Sequence, residues 1–338
     1  MYRAFYGLKD YPFRLTPDPA YIYFADQHRE AFSGLVCSIS SRPGLAVLLG
    51  EAGTGKTTLL YTLAGLLEKR NFILARCNNP TLSKEEFFDL LLAELGVECS
   101  SSLKTRQLRA LEQALMRYRD AGRPAVLIVD EAQRLPMELL EEIRLLLNLE
   151  TPREKLLQII MAGQPELEDV LRRPELRQFK QRLSAICRLE PLSIEGVSEY
   201  LEYRLAMAGL PKQTLFSGEV IGLVYRYTEG IPRLVNCLCD AAMLAGFALQ
   251  SPQITAAIID EAACDLQLSG SVVGTNGRGL PKTETVKALA PNCAAPDPSH
   301  SLYQLNGDSK VNGRVPLQSY AQRPKSYGFF GKFLELWK

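Results

Sequence analysis

Residues Gly50-Glu51-Ala52-Gly53-Thr54-Gly55-Lys56-Thr57-Thr58 combine glycines, a lysine and three threonines, and the first eight match the spacing GxxxxGK[ST]. Glycine lets successive backbone N–H groups turn toward one centre, which makes a cradle for a β-phosphate. An apolar run, 45–49, precedes the loop and a leucine-rich helical period, 56–69, follows it. The helix N-terminus adds a favourable dipole for an anion. In this setting Lys56 is expected to pair with β- and γ-phosphates and Thr57 to offer its hydroxyl to Mg²⁺. The segment predicts a site for ATP and Mg²⁺.

A second pattern supplies the opposite charge. Val126-Leu127-Ile128-Val129 is apolar and ends in Asp130-Glu131. A buried strand of this kind delivers both carboxylates to the carboxyl edge of a parallel sheet, where such sheets bind ligands. Asp130 is expected to hold Mg²⁺, usually through water. Glu131 is expected to orient and deprotonate an attacking water, giving hydrolysis to ADP and phosphate. Phosphoryl transfer needs mainly positioning and charge. The alternative is an acidic pair capping a helix; its place downstream of a phosphate loop favours catalysis.

Other groups could read the γ-phosphate. The run LLQIIMAG ends at Gly163-Gln164-Pro165, and its strand could lie between the acidic strand and the loop strand, bringing Gln164 near the γ-phosphate or the water. Gly230-Ile231-Pro232-Arg233 opens a later helix. A cation at a helix N-terminus is unfavourable unless an anion satisfies it, so Arg233 is expected to swing onto the nucleotide. Arg177, Arg182 and Arg188 precede or enter the last strand; Arg182 first, and Arg177 second, is the expected arginine finger reaching into a neighbouring subunit.

The elements that must place these residues are legible as periods. Apolar runs at 45–49, 72–75, 125–129, 156–162 and 186–189 alternate with helical periods at 56–69, 84–95, 105–120 and 138–149. Short continuous apolar runs suit strands covered on both faces, and the alternation predicts a parallel α/β sheet over 31–190. Strand patterns then vanish, and 191–268 reads as a small all-helical lid with helices near 194–208, 218–227, 233–249 and 255–266. Residues 1–30 are aromatic and proline-rich and read as an ordered arm laid over the core. Residues 269–325, rich in Gly, Asn, Ser and Pro, read as a disordered linker. Residues 326–338 form a short amphipathic aromatic tail, with Phe330, Phe333, Leu334 and Trp337 on one helical face.

Composition sets limits. Of 338 residues, 46% are apolar, enough for a sizeable core, and the formal charge of +1 provides no global attraction to nucleic acid or acidic membranes. The 8 cysteines show no paired zinc spacing. Neither a signal-peptide pattern nor an apolar run long enough to span a bilayer is visible. The expected location is cytoplasmic, with the tail as a peripheral contact to the inner membrane or a partner.

Taken together, the motifs resemble an AAA+ ATPase and, more narrowly, the general secretion pathway A (ExeA-type) ATPases of bacteria. The resemblance rests on Phe5-Tyr6-Gly7-Leu8, Pro12-Phe13, Pro17-Asp18-Pro19, the phosphate loop, Asp130-Glu131-Ala132-Gln133, Gly163-Gln164-Pro165-Glu166-Leu167 and Gly230–Arg233, and covers residues 1–268. It implies a P-loop NTPase sheet ordered 5-1-4-3-2, sensor-1 duty at Gln164, sensor-2 duty at Arg233, and a homo-oligomeric ring completed by trans arginines. It also implies a switch or motor for envelope secretion or exopolysaccharide export. Longer members of that family carry a membrane span and a peptidoglycan-binding region after the ATPase, where this sequence has the linker and tail. Transposition ATPases share much of this core, so DNA association, through Arg172, Arg173, Arg177, Lys180 and Arg182, is the competing expectation. A scaffold that binds ATP without turnover is a third.

Overall fold

The computed structural model describes residues 2–268 apart from 43, 79–80 and 211–214. The expected linker (269–325) and aromatic tail (326–338) lie outside the described residues. In chain order the elements are α1 (Tyr2–Phe5), α2 (Asp26–Ser41), β1 (Leu45–Gly50), α3 (Lys56–Lys69), β2 (Ile73–Cys77), α4 (Lys84–Glu94), α5 (Lys104–Asp120), β3 (Ala125–Val129), α6 (Met137–Leu146), β4 (Leu157–Gly163), α7 (Glu166–Leu171), α8 (Arg177–Lys180), β5 (Leu183–Leu189), α9 (Ile194–Met207), α10 (Gly218–Thr228), α11 (Pro232–Ala248) and α12 (Ala256–Asp265). The strands form one parallel sheet in the order β2-β3-β4-β1-β5, the 5-1-4-3-2 order implied by the resemblance.

Strand position follows from side-chain pattern. β1, β3 and β4 are apolar at nearly every position and buried throughout, so they occupy the middle of the sheet with both faces covered. Leu45, Val47 and Leu49 face the cluster built with α4, α5 and α6, while Leu35, Val36, Leu59 and Leu63 of α2 and α3 are buried outside that cluster. β5 begins at Leu183, earlier than the expected 186, pairing Leu183 with Leu45 of β1. An edge strand needs only one buried face; β5 alternates, with Ser184, Ile186 and Arg188 exposed, so a continuous apolar run could not mark its start.

A second cluster holds α9–α12 together around Leu201, Val235, Leu238, Met243 and Ile259. The arm joins it. Tyr2, Tyr6, Leu8 and Phe13, expected over the α/β core, are instead buried among these helices. Tyr2 hydrogen-bonds Asp240, Tyr6 donates to the Ser251 carbonyl at 3.2 Å, and Lys9 N–H donates to the Ala208 carbonyl at 2.8 Å. A four-helix unit this small cannot close its own apolar surface, and aromatic side chains bury the most area per residue. Phe24 also meets Phe32 of α2 edge to face, and α2 starts at Asp26, inside the segment read as arm.

Candidate active site

The loop after β1 is built by close approach. A Cβ on Gly50 would stand 2.7 Å from the Leu189 carbonyl and 2.8 Å from Thr54 Oγ1. Gly53 and Gly55 take φ of +86° and +101°, values that glycine alone adopts freely. Thr54 is fully buried and its hydroxyl donates to the Glu51 carbonyl at 2.9 Å, closing the loop on itself. Ser83, Ser193, Ser217 and Thr255 cap the N-termini of α4, α9, α10 and α12, but Gly55 gives α3 no side-chain cap. The N–H groups of the first turn of α3 are thus left without that partner, beside a cavity that Gly53–Thr58 line. Lys56 is 5% exposed, and its Nζ donates to the carbonyls of Gly50 (2.7 Å) and Glu51 (3.0 Å). Burial pulls its ammonium below the usual lysine range, against the opposing pull of Glu131, then Asp130, Glu51 and Glu166.

The two motifs meet directly. Thr57 Oγ1 donates to Asp130 Oδ2 at 2.7 Å, and the other Asp130 oxygen accepts the Glu131 N–H at 2.9 Å. Asp130 is buried at the end of β3, and Glu131, with φ +52°, turns the chain into a short 3₁₀ segment, Ala132–Arg134. The Glu131 side chain lines the cavity with Thr57 and Thr58. A hydroxyl and a carboxylate in hydrogen-bond contact are a sparse, all-oxygen set. That fits Mg²⁺, which keeps several waters and shares phosphate oxygens.

The opposite wall comes from elements that local pattern did not connect. Arm residues Arg14–Asp18 and Tyr21–Tyr23 and lid residues Tyr200, Arg204, Arg233 and Asn236 line the same cavity. Arg233 N–H donates to the Gly53 carbonyl at 3.2 Å, a Cβ on Gly53 would stand 2.8 Å from Arg233 Cβ, and the exposed Arg233 side chain lines the cavity. A Cβ on Gly230 would overlap the Leu192 carbonyl, which explains the glycine two residues before Pro232. Arg204 on α9 is 7% exposed and donates to three arm carbonyls: Pro12, Tyr21 (3.4 Å) and Arg14 (3.2 Å). Its guanidinium also lies over the rings of Tyr21 and Tyr200. His28 of α2 sits under the loop with Nε2 3.2 Å from the Thr54 carbonyl, and burial pushes its pKa below the usual histidine value, the Thr54 bond opposing. Neither Arg204 nor His28 belongs to a spacing pattern, so only the fold reveals them.

The remaining candidates lie away from the cavity wall. β4 does run between β3 and β1, and Gln164 follows it, but Gln164 is tied to its surroundings through its backbone: its N–H donates to Gln133 Oε1 at 3.1 Å. Arg182 precedes β5 at the amino edge of the sheet, the end opposite the phosphate loop, with Nη1 3.5 Å from the Leu147 carbonyl. Arg177 is exposed at the start of α8, and Arg188 pairs with Glu168 at 2.8 Å.

Residues 39–171 match a family model described as an AAA domain. The chain is 38% identical over 267 residues to general secretion pathway protein A of Aeromonas hydrophila, covering 79% of this chain and 48% of that protein. It therefore spans about half the length of this curated relative. Among solved structures, Cdc6p from Pyrobaculum aerophilum superposes with a TM-score of 0.56 at 16% identity, covering 78% of this chain and 70% of that one. The Drosophila ORC bound to DNA gives 0.56 at 19% identity (76% and 66% covered), and ORC2 of Aeropyrum pernix gives 0.53 at 16% (71% and 66%). At such identities these structures show the fold. With the sheet order, the loop between β1 and α3 and the sequence similarity, the chain belongs to the AAA+ P-loop ATPases, as a relative of general secretion pathway protein A.

Proposed function

We propose that the chain is a Mg²⁺-dependent ATPase that works as a homo-oligomeric switch or motor on bacterial envelope secretion or export machinery. The observation that carries the enzymatic reading is the Thr57–Asp130 hydrogen bond, which joins the glycine-lined loop to the acidic strand end with Glu131 as the next residue. Backbone N–H groups of residues 52–58 bind the phosphates. Lys56 exchanges two loop carbonyls for β- and γ-phosphate oxygens, which restores the charge balance that burial disturbs. Thr57 and Asp130 would hold Mg²⁺, which neutralises charge on the phosphates when bound. Glu131 takes a proton from the attacking water. Arg233 contacts the nucleotide from the lid, and Gln164 orients water or γ-phosphate after a local shift of its side chain. Arg182, or Arg177, acts in trans: at the sheet edge away from its own cavity, Arg182 can complete only a neighbour's site.

Secretion is favoured over DNA work by the similarity to general secretion pathway protein A. One residue of the basic surface considered for DNA, Arg172, also pairs with Glu168 at 2.8 Å. Among the described residues no helix is long and apolar enough to cross a membrane; contact with an inner-membrane assembly or a partner through residues 326–338 is part of the proposal. Phosphate release by wild type and Glu131→Gln tests the enzymatic reading. Loss of turnover with nucleotide binding retained supports it, and equal rates overturn the role of Glu131. DNA binding at low salt that follows ATP would favour the competing reading.

A further inference from the structure

Asp130-Glu131-Ala132-Gln133 ends in a residue that no step above uses. Gln133 Nε2 donates to Glu131 Oε2 at 2.7 Å, while Gln133 Oε1 accepts the Gln164 N–H at 3.1 Å. An ionised carboxylate only accepts and a backbone N–H only donates, so one orientation of the carboxamide satisfies both. One planar group thus links the side chain after β3 to the main chain after β4. The neighbouring backbone is shaped for this link. A Cβ on Gly163 would stand 2.8 Å from Gln133 Oε1, so glycine there leaves room for the amide. Glu131 itself holds a left-handed backbone conformation that costs a non-glycine residue on the order of 1 kcal/mol, a strain that must be repaid locally.

We propose that Gln133 is the positioning residue for Glu131: it fixes the carboxylate by one bond and anchors itself to the end of β4 by the other. A shift of the Gln164 segment then moves the carboxylate with it, which couples any group read by that loop to the base. The proposal rests on the reading of Glu131 as the group that takes the proton.

Two near-isosteric variants separate the two bonds. Gln133→Glu keeps an acceptor for the Gln164 N–H but removes the donor to Glu131; Gln133→Leu removes both. Hydrogen exchange at the Gln164 amide of the full chain, which requires no turnover, is expected to quicken at least tenfold in Gln133→Leu and to stay near wild type in Gln133→Glu. In both variants kcat for ATP is expected to fall at least tenfold while nucleotide Kd stays within about twofold. In a Glu131→Gln background, Gln133→Leu is expected to cause no further fall in kcat. Wild-type kcat in both variants, unchanged exchange at Gln164 in Gln133→Leu, or equal losses of kcat with and without the Glu131 carboxylate would overturn the proposal. If Glu131→Gln alone turned over like wild type, the functional reading would fail, and the amide exchange would still report whether the link exists.

Discussion

Two buried cations line one cavity and are held in opposite ways. Lys56 rests on carbonyls five and six residues away in its own loop, with Glu131 and Asp130 near enough to oppose its loss of charge. Arg204 rests on carbonyls of Pro12, Arg14 and Tyr21, more than 180 residues away, and on two aromatic faces. The lysine is a point charge whose partners a phosphate can replace without moving any other element. The arginine is a planar fork satisfied by one folded path of the arm. On the proposed function, burial of charge marks a working group in one case and a fastener in the other, and what separates them is the sequence distance and rigidity of the partners.

That contrast can be broken by substitution. The largest effect is expected from Lys56→Met: nucleotide affinity falls by at least a hundredfold in a titration, while the melting midpoint of the nucleotide-free protein holds or rises, since a desolvated charge is removed. A midpoint drop as large as that of Arg204→Met would erase the distinction. Arg204→Met strands buried carbonyls and frees the arm, at a cost of roughly 3 kcal/mol, or a midpoint lower by roughly 6–12 °C. Because residues 14–18 and 21–23 line the cavity, KM for ATP should rise several-fold with kcat reduced less. Arg204→Lys, keeping charge but not the fork, should recover little of the loss; full recovery would mean charge alone matters.

His28 sharpens the same comparison at smaller scale. Its folded pKa is depressed by burial, so between that value and the unfolded value near 6.5 the unfolded chain binds more protons. Stability therefore falls as pH drops below about 6.5. Wild type should lose more of its melting midpoint between pH 7.5 and 5.5 than His28→Gln does; equal losses would show that the loop does not feel this imidazole. The smallest effect is expected from Arg182→Ala in the isolated subunit, where nucleotide affinity should stay within about twofold. Turnover should fall at least a hundredfold only in the assembled oligomer.

Legibility followed the range of the interactions. The strands β1, β3 and β4 are continuous apolar runs because they are covered on both faces, and their bounds were close to those read from pattern. β5, half exposed at the edge, hid its first residues. The loop 50–58 and the pair 130–131 were visible because each is a local arrangement with its own chemistry. The first part of the arm, Tyr2 to Phe13, lies among the lid helices rather than over the core, because aromatic content says that a segment must be buried, not against what. His28, Arg204 and the Gln133 link carried no spacing signal, since their partners are remote in sequence or are main-chain atoms.

Sequence alone determined the two charged motifs, the alternation that makes a parallel sheet and the change to an all-helical region, because each depends on residues within a turn or a strand of one another. Tertiary structure decided that Thr57 meets Asp130, that the arm and lid share a wall with the phosphate loop, and that Gln133 reaches both Glu131 and Gln164. These are distances between elements, set by how strands order in the sheet and by which apolar faces need covering. No local pattern encodes them.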